Sequence, residues 1–348
     1  MGGLTAYFIR RFLLLIPTFF GITLIYFSVL QVVPGGPLEM ELLRIRQAMA
    51  SSGEGGAGAA MGNEPVEIPI EAMEEMRRYY DMDKPILVRY VRWVGNVLHL
   101  DLGTSYVYAE PVWDVIKSKF PISAYFGLIG FILSYSVCIP LGIAKAVKHG
   151  SPFDLVSSVV VFIGYSTPGW ALGAVLLVLL GGGSFWDVFP LGGFRSENWA
   201  QMSAWDKVID QVYHTILPVI SYSIGSFATL TVLMKNSLLE NLSQDYVRTA
   251  FAKGLPEKRV IFVHALRNSL IPIATGIGGL LGIFFAGSYL IEKTFNIQGM
   301  GLLGFTSLLH RDYPVSLGFL VIGTLIGLTG NIISDMVYAT IDPRIRFR

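Results

Sequence analysis

Cysteine is almost missing from this 348-residue chain: Cys138 stands alone inside an apolar run. An internal disulfide is therefore impossible, and a cysteine-based metal cluster has no support. Charge is scarce too. Asp, Glu, Lys and Arg together make up 15% of residues, where soluble domains average about 25%. The formal net charge is only +1, and no basic patch interleaved with aromatics marks a nucleic-acid surface. The phosphate-cradling pattern G-x-x-x-x-G-K-[ST] does not occur, so the chain lacks that means of holding a nucleotide. Neither H-E-x-x-H nor G-x-S-x-G is present, and the nearest match, G-Y-S-T-P-G at residues 164–169, fails by spacing. His99, His149, His214, His264 and His310 are scattered without a ligand pattern and read as ordinary interfacial histidines. An intramembrane enzyme would need a nucleophile–base pair, and no such pair is legible.

What the chain has instead is apolar length. Hydrophobic residues make up 53% of it, and the few charges are gathered into blocks that leave long uncharged runs. This predicts an all-α polytopic membrane protein. Residues 12–33, behind the pair Arg10–Arg11, are long enough to cross a core of about 30 Å. A signal peptide shares a basic start and an apolar stretch, but this run is too long for a signal core and ends in V-V-P-G-G-P rather than a small-x-small site. It reads as a retained first span. Further spans are expected over residues 124–147, 153–180, 212–234, 271–290 and 315–339, six in all. Pro140 is expected to kink the second, and Ser166–Gly169 (S-T-P-G) to interrupt the third. Three regions follow: residues 1–33, a tail and first span; residues 34–123, a mainly helical outer insert around a glycine-rich loop; and residues 124–348, a five-span core. Within the insert, residues 38–49 and 71–80 carry helical patterns. Residues 181–211 and 292–314 read as outer loops, the first rich in aromatics that suit the membrane interface. A start inside the cell puts Lys145, Lys148, residues 241–270 and the basic tail on the cytoplasmic side, in line with the positive-inside rule. An odd number of spans would break it.

The chain is organised around residues 241–272, the one long polar and basic interval in its second half. Leu239, Leu242, Tyr246, Val247 and Ala250 recur at helical spacing. Gly254 stops that helix, because glycine takes a left-handed C-terminal position without a Cβ clash. Pro256 suits the first position of a second helix, with Glu257 in its first turn. Val260, Ile261, Val263 and Leu266 are expected on one side of that helix, with Lys258, Arg259 and Arg267 elsewhere. The interval thus reads as a helix–glycine–helix knuckle with an apolar root and a charged outer face. Periodicity alone leaves two destinations open: an anionic lipid surface, or a groove on a soluble partner.

Polar residues inside the spans are few. Ser166, Thr167, Ser223, Ser226 and Thr229 are candidates for lining a water-filled path, although each hydroxyl can equally bond back to its own helix. Asn331 and Asp335 share a face of the last span, and a charge at the bilayer centre costs at least ~2.5 kcal/mol, so Asp335 is expected near a helix end or beside a basic group. Small-residue pairs at Gly278/Gly282 and Gly323/Gly327 suit close helix packing.

The segment R-T-A-F-A-K-G followed by N-S-L-I-P resembles the coupling signature of ABC importer permeases, with Arg248 where the wider consensus has glutamate. That variant is typical of dipeptide and oligopeptide permeases. Other stretches resemble the same family: V-P-G-G-P, D-K-P-I, D-L-G-T-S, G-S-P-F-D, G-Y-S-T-P, F-P-L-G-G, M-K-N-S, G-M-G-L-L-G-F, R-D-Y-P-V and I-D-P-R-I. The glycine-rich insert is closest to the Yej branch, importers of peptides and microcin C. The resemblance implies a type I ABC importer permease fold and a non-catalytic subunit of a bacterial inner-membrane peptide importer. It implies a second homologous permease, a cytoplasmic ABC ATPase that binds ATP and Mg, and a periplasmic peptide-binding protein; this chain would bind no cofactor. It assigns ATPase coupling to Tyr246, Arg248, Thr249, Ala250, Ala252, Lys253, Gly254, Leu255, Pro256, Asn268 and Pro272. A stand-alone secondary carrier or channel is the alternative.

Overall fold

The computed structural model describes residues 2–33, 36, 74, 83–182, 185–276, 282 and 287–341. The expected helices at 38–49 and 71–80, most of the insert, the middle of the expected fifth span with Gly278, and I-D-P-R-I beyond its first residue lie outside them. The described residues are helical, with only isolated β-bridges such as Thr104 with Pro111. In chain order the helices are α1 (Gly2–Val32), α2 (Ile86–Leu98), α3 (Val112–Val147), α4 (Pro152–Ser166), α5 (Gly169–Leu180), α6 (Ala204–Leu242) and α7 (Asp245–Ala252). Then come α8 (Glu257–Arg259), a π-helical turn (Val260–Ala265), α9 (Leu266–Ser269), α10 (Ile271–Thr275), α11 (Tyr289–Thr294), α12 (Met300–Leu309) and α13 (Tyr313–Ile341).

Among the described residues, four helical stretches are long and apolar enough to cross a membrane: Ile9–Val32, Val112–Val147, Ala204–Leu242 and Tyr313–Met336. The α4–α5 pair makes a fifth if counted as one span. The expected number of six is therefore not reached among these residues. Two helices run beyond the expected spans. Helix α3 starts at Val112, ahead of the span expected from residue 124, and α6 runs from Ala204 to Leu242, around the span expected over 212–234. At 1.5 Å per residue, 36 and 39 residues extend about 54 and 58 Å, well past a hydrocarbon core of about 30 Å. Hydropathy marked only the apolar stretch of each helix, whereas backbone hydrogen bonding continues beyond it. Pro121 and Pro140 lie inside the unbroken α3.

The third span is interrupted at S-T-P-G, as its sequence predicts. Thr167 and Pro168 are extended, and α4 meets α5 at 95°. Proline disfavours helical backbone at the residue before it, which ends α4. The hydroxyls of Ser166 and Thr167 donate to the carbonyls of Phe162 and Ile163, each at 2.9 Å, and so occupy groups that the lost turn would have paired. The 292–314 interval is likewise not simply a loop, because it contains α12.

Contacts divide the chain into two compact units: Met1–Leu13, Lys119–Leu303 and Gly323–Arg348; and Leu14–Ser118 with Gly304–Ile322. The second unit buries Phe27, Leu30, Tyr90, Tyr313 and Leu317 together. There Asp312, fully buried, accepts from the Ser105 hydroxyl and from the amides of Tyr106 and Val107. This contact joins D-L-G-T-S to R-D-Y-P. The first unit has one core around Phe126, Leu217, Phe295 and Ile297 and another beneath the knuckle. In it Asp335 pairs with Arg11, whose guanidinium also donates to the Asn331 carbonyl, as the cost of a lone charge in a span requires.

Candidate functional site

The knuckle is built from its root outward. Val247 and Ala250 of α7, with Val260 and Ala265 of the π turn, pack against Met234 and Leu238 of α6, Ala146 of α3 and Ile273 of α10. Val247, Val260, Met234 and Leu238 are all fully buried. Removing a valine or methionine side chain of this kind from water contributes about 1.5–3 kcal/mol. Polar ties close the joints. The Ser237 hydroxyl donates to the Ser269 carbonyl at 2.9 Å, and Tyr246 Oη donates to Asn241 Oδ1 at 2.8 Å.

Gly254 closes α7 with φ +76°. Its amide bonds to the Phe251 carbonyl at 2.9 Å, and the Leu255 amide reaches back to Ala250 at 3.4 Å. These are the two bonds of a Schellman motif, which needs the left-handed residue that the sequence supplies as glycine. Pro256 is extended and caps the second helix, so Glu257 takes the first helical position; the expected register is off by one. Val263 brings a second correction. It is 54% exposed, while Val260, Ile261 and Ala265 point in. At about 100° per residue Val263 lies about 160° around the helix from Ile261, so ordinary helical spacing already places it on the opposite side.

The outer face carries most of the residues expected to couple. Tyr246, Arg248, Thr249, Ala252, Lys253, Gly254, Pro256, Asn268 and Pro272 are exposed; Leu255 is half-buried and Ala250 belongs to the root. Beside them stand exposed apolar residues that sequence reasoning passed over, Phe251 and Phe262 at 46% and 55%. Arg248 meets Asp245 at 3.7 Å, both well exposed, which contributes little to stability. The face is thus firm in backbone, mixed in chemistry and open.

Residues 138–347 match the family model described as "Binding-protein-dependent transport system inner membrane component". The chain belongs to that family. It is similar to the "Peptidoglycan transport system permease protein YejB" of Agrobacterium fabrum, at 40% identity with 98% of each chain covered. It is also similar to the "Inner membrane ABC transporter permease protein YejB" of Escherichia coli O157:H7, at 39% identity over 98% of this chain and 99% of the relative. The "Oligopeptide transport system permease protein AppB" of Bacillus subtilis is 33% identical over 99% of this chain and all of the relative.

Two polar centres brace the framework of this inner-membrane component, and neither was singled out from the sequence. In the first, Lys145 Nζ, 1% exposed, lies 3.1 Å from Asp154 Oδ1 and donates to the Asp154 carbonyl, Ser157 and Ser158, each at 2.8 Å. Lys235 Nζ reaches both Asp154 carboxylate oxygens at 2.8 Å. The knot fastens the first turn of α4 to α3 and to α6. The only visible signal was that Asp154 and Lys235 lie in the quoted G-S-P-F-D and M-K-N-S.

The second centre is Glu292, 1% exposed. It accepts from the Leu302 amide at 2.6 Å, from Gly301 and Tyr222 at 3.3 Å, and from Ser123 at 3.1 Å. Burial pushes its carboxyl above the ordinary glutamate range, with the amide bonds pulling the other way. A Cβ on Gly287, Gly299 or Gly301 would lie 2.1, 2.4 or 2.5 Å from the nearest atom, and at Gly287 and Gly299 that atom is Glu292 Oε1.

The five candidate path residues are not gathered into one group. Ser166 and Thr167 occupy carbonyls at the α4–α5 break. Ser223 is buried and bonds to the Gly130 carbonyl at 3.5 Å; Ser226 donates to the Ser223 carbonyl and contacts Ser134; Thr229 is exposed. One grouping hidden from the sequence places Ser196, Asp210 and His214 together. His214 Nε2 lies 3.2 Å from Ser196 Oγ and 3.5 Å from Asp210 Oδ1, with Nδ1 3.2 Å from the Gly193 carbonyl. The Ser196 hydroxyl donates directly to Asp210 rather than to the histidine. A catalytic triad places the histidine between serine and carboxylate, so this arrangement fastens a loop and does not activate a nucleophile.

Proposed function

We propose that this chain is one of two homologous permeases in an ATP-driven importer of peptides. The importer sits in the bacterial inner membrane, with both termini of the chain in the cytoplasm. The knuckle carries the reading: a helix–glycine–helix segment with a sealed apolar root and an exposed aromatic and polar face, joined without a linker to α6 on one side and α10 on the other. Such a body transmits force, because moving its face moves the helix ends packed beneath it. A cytoplasmic ABC ATPase holds that face, through Tyr246, Arg248, Thr249, Ala252, Lys253, Gly254, Leu255 and Pro256, with Asn268 and Pro272 at its far end. Closure of the ATPase on ATP and Mg drags the knuckle, and α6 rocks to open a path first outward and then inward. The chain performs no catalysis and holds no cofactor; hydrolysis belongs to the partner.

Relatives named for peptidoglycan, oligopeptide and dipeptide transport support a peptide-bearing cargo. The proposed cargo is an oligopeptide or a microcin C-like compound, as the resemblance to the Yej branch implies. A periplasmic binding protein delivers the cargo. The exposed apolar flanks of α4, among them Leu155, Val160 and Ile163, suit lipid or the second permease. Capture of the tagged chain in mild detergent should bring down an ATPase and a second permease. Peptide flux into liposomes that contain this chain alone, without ATP, would instead make it a stand-alone carrier or channel.

A further inference from the structure

A slot of about 580 Å³ lies beside the second half of the knuckle, within the range of about 300–1,000 Å³ usual for ligand sites. One wall is a single face of α3, formed by Pro140, Ile143, Ala144 and Val147; the other is Ile261 and Phe262. The spacing i, i+3, i+4, i+7 keeps the first wall apolar, and Ala144 leaves it shallow. The second lies on the π turn, where Phe262 is 55% exposed. Lys148, Lys258 and Glu257 form the lip, two cations against one anion. Lys148 Nζ is held 5.4 Å from the centre of the Phe153 ring.

An apolar trough with a net cationic lip, at the end of a membrane-crossing helix, is complementary to one kind of molecule: an anionic amphiphile with its chain in the trough and its phosphate at the lysines. We propose that the slot binds an anionic phospholipid of the cytoplasmic leaflet, which wedges α3 against the knuckle. This rests on the cytoplasmic placement of the knuckle. The bound lipid then belongs to the base from which the knuckle moves, and its headgroup charge influences how firmly that base is held.

The test is native mass spectrometry of the full-length chain with phosphatidylglycerol and phosphatidylcholine of identical acyl chains. The wild type should retain phosphatidylglycerol about five- to thirtyfold better, the range expected for a lip between one net charge and two full lysines at a lipid surface. Lys148→Gln/Lys258→Gln, confined to exposed residues, should abolish the preference without changing the melting temperature. Ala144→Phe should reduce retention of both lipids by filling the trough. Equal retention of the two lipids by the wild type, or a preference that survives in the double variant, overturns the proposal. So does loss of the lipid when the chain assembles with its ATPase and second permease, because the slot would then be a protein interface. No arm uses ATP or transport. A failed lipid test therefore leaves the coupling reading standing, and a failed ATPase capture with lipid preference intact sinks coupling alone.

Discussion

Two glycine-dependent bends in this chain need glycine for different physical reasons. At the knuckle, Gly254 takes φ +76°, and a Cβ added there would meet nothing within 4 Å. Around Glu292, Gly287, Gly299 and Gly301 are needed because no space remains. The second bend is finished within the chain: its polar groups are paired and its volume is full. The first is finished only in its backbone. Its root is sealed, but the space around its glycine is open and its aromatics face outward. A closed bend belongs to the fold, whereas an open one on a firm root is free to be gripped by something else.

The comparison can be broken from the closed side first. Asp154→Asn should leave the buried Lys145 ammonium without its counter-charge and cost about 3–5 kcal/mol, read as a large fall in melting temperature in detergent. A stability close to wild type would mean that the knot does not brace α4. Gly301→Ala comes next. Its methyl would lie 2.5 Å from the Gly287 carbonyl carbon, which points to a loss of roughly 1–3 kcal/mol by the same melt. An unchanged melting temperature would show that this bend has slack. The smallest effect on stability belongs to the open side. Gly254→Val should cost about 1–2 kcal/mol from the left-handed backbone alone, and Gly254→Asn only a fraction of that. The Asn variant should nevertheless lose ATPase in the capture assay while keeping its fold. Full capture would show that the open side of the bend is not the gripped side.

Much of this was legible in the residues. The apolar runs, the glycine stop, the proline break and the family likeness each rest on local chemistry. What stayed hidden depended on partners distant in the chain. Asp154 and Lys235 are each unremarkable alone, and so are Ser105 and Asp312, yet each pair joins two of the stretches that carried the family resemblance. Ser196, Asp210 and His214 form a group only because a loop folds onto α6. The starts of α3 at Val112 and α6 at Ala204 are not marked by hydropathy, which reports the solvent of a segment and not the extent of its hydrogen bonding. Val263 is not such a case: its two-residue offset from Ile261 already sets it on the opposite side of a helix, where it is exposed, and not with Val260 and Ile261 as expected.

By itself the sequence determined the helical membrane class, the position of the knuckle and the residue at its bend, because hydropathy, backbone freedom and capping act over a few neighbouring residues. Tertiary structure alone decided which helices seal the root of the knuckle, which glycines are bound by space and not by conformation, and which buried charges neutralise one another. Those outcomes depend on distances between segments far apart in the chain, and only packing sets such distances.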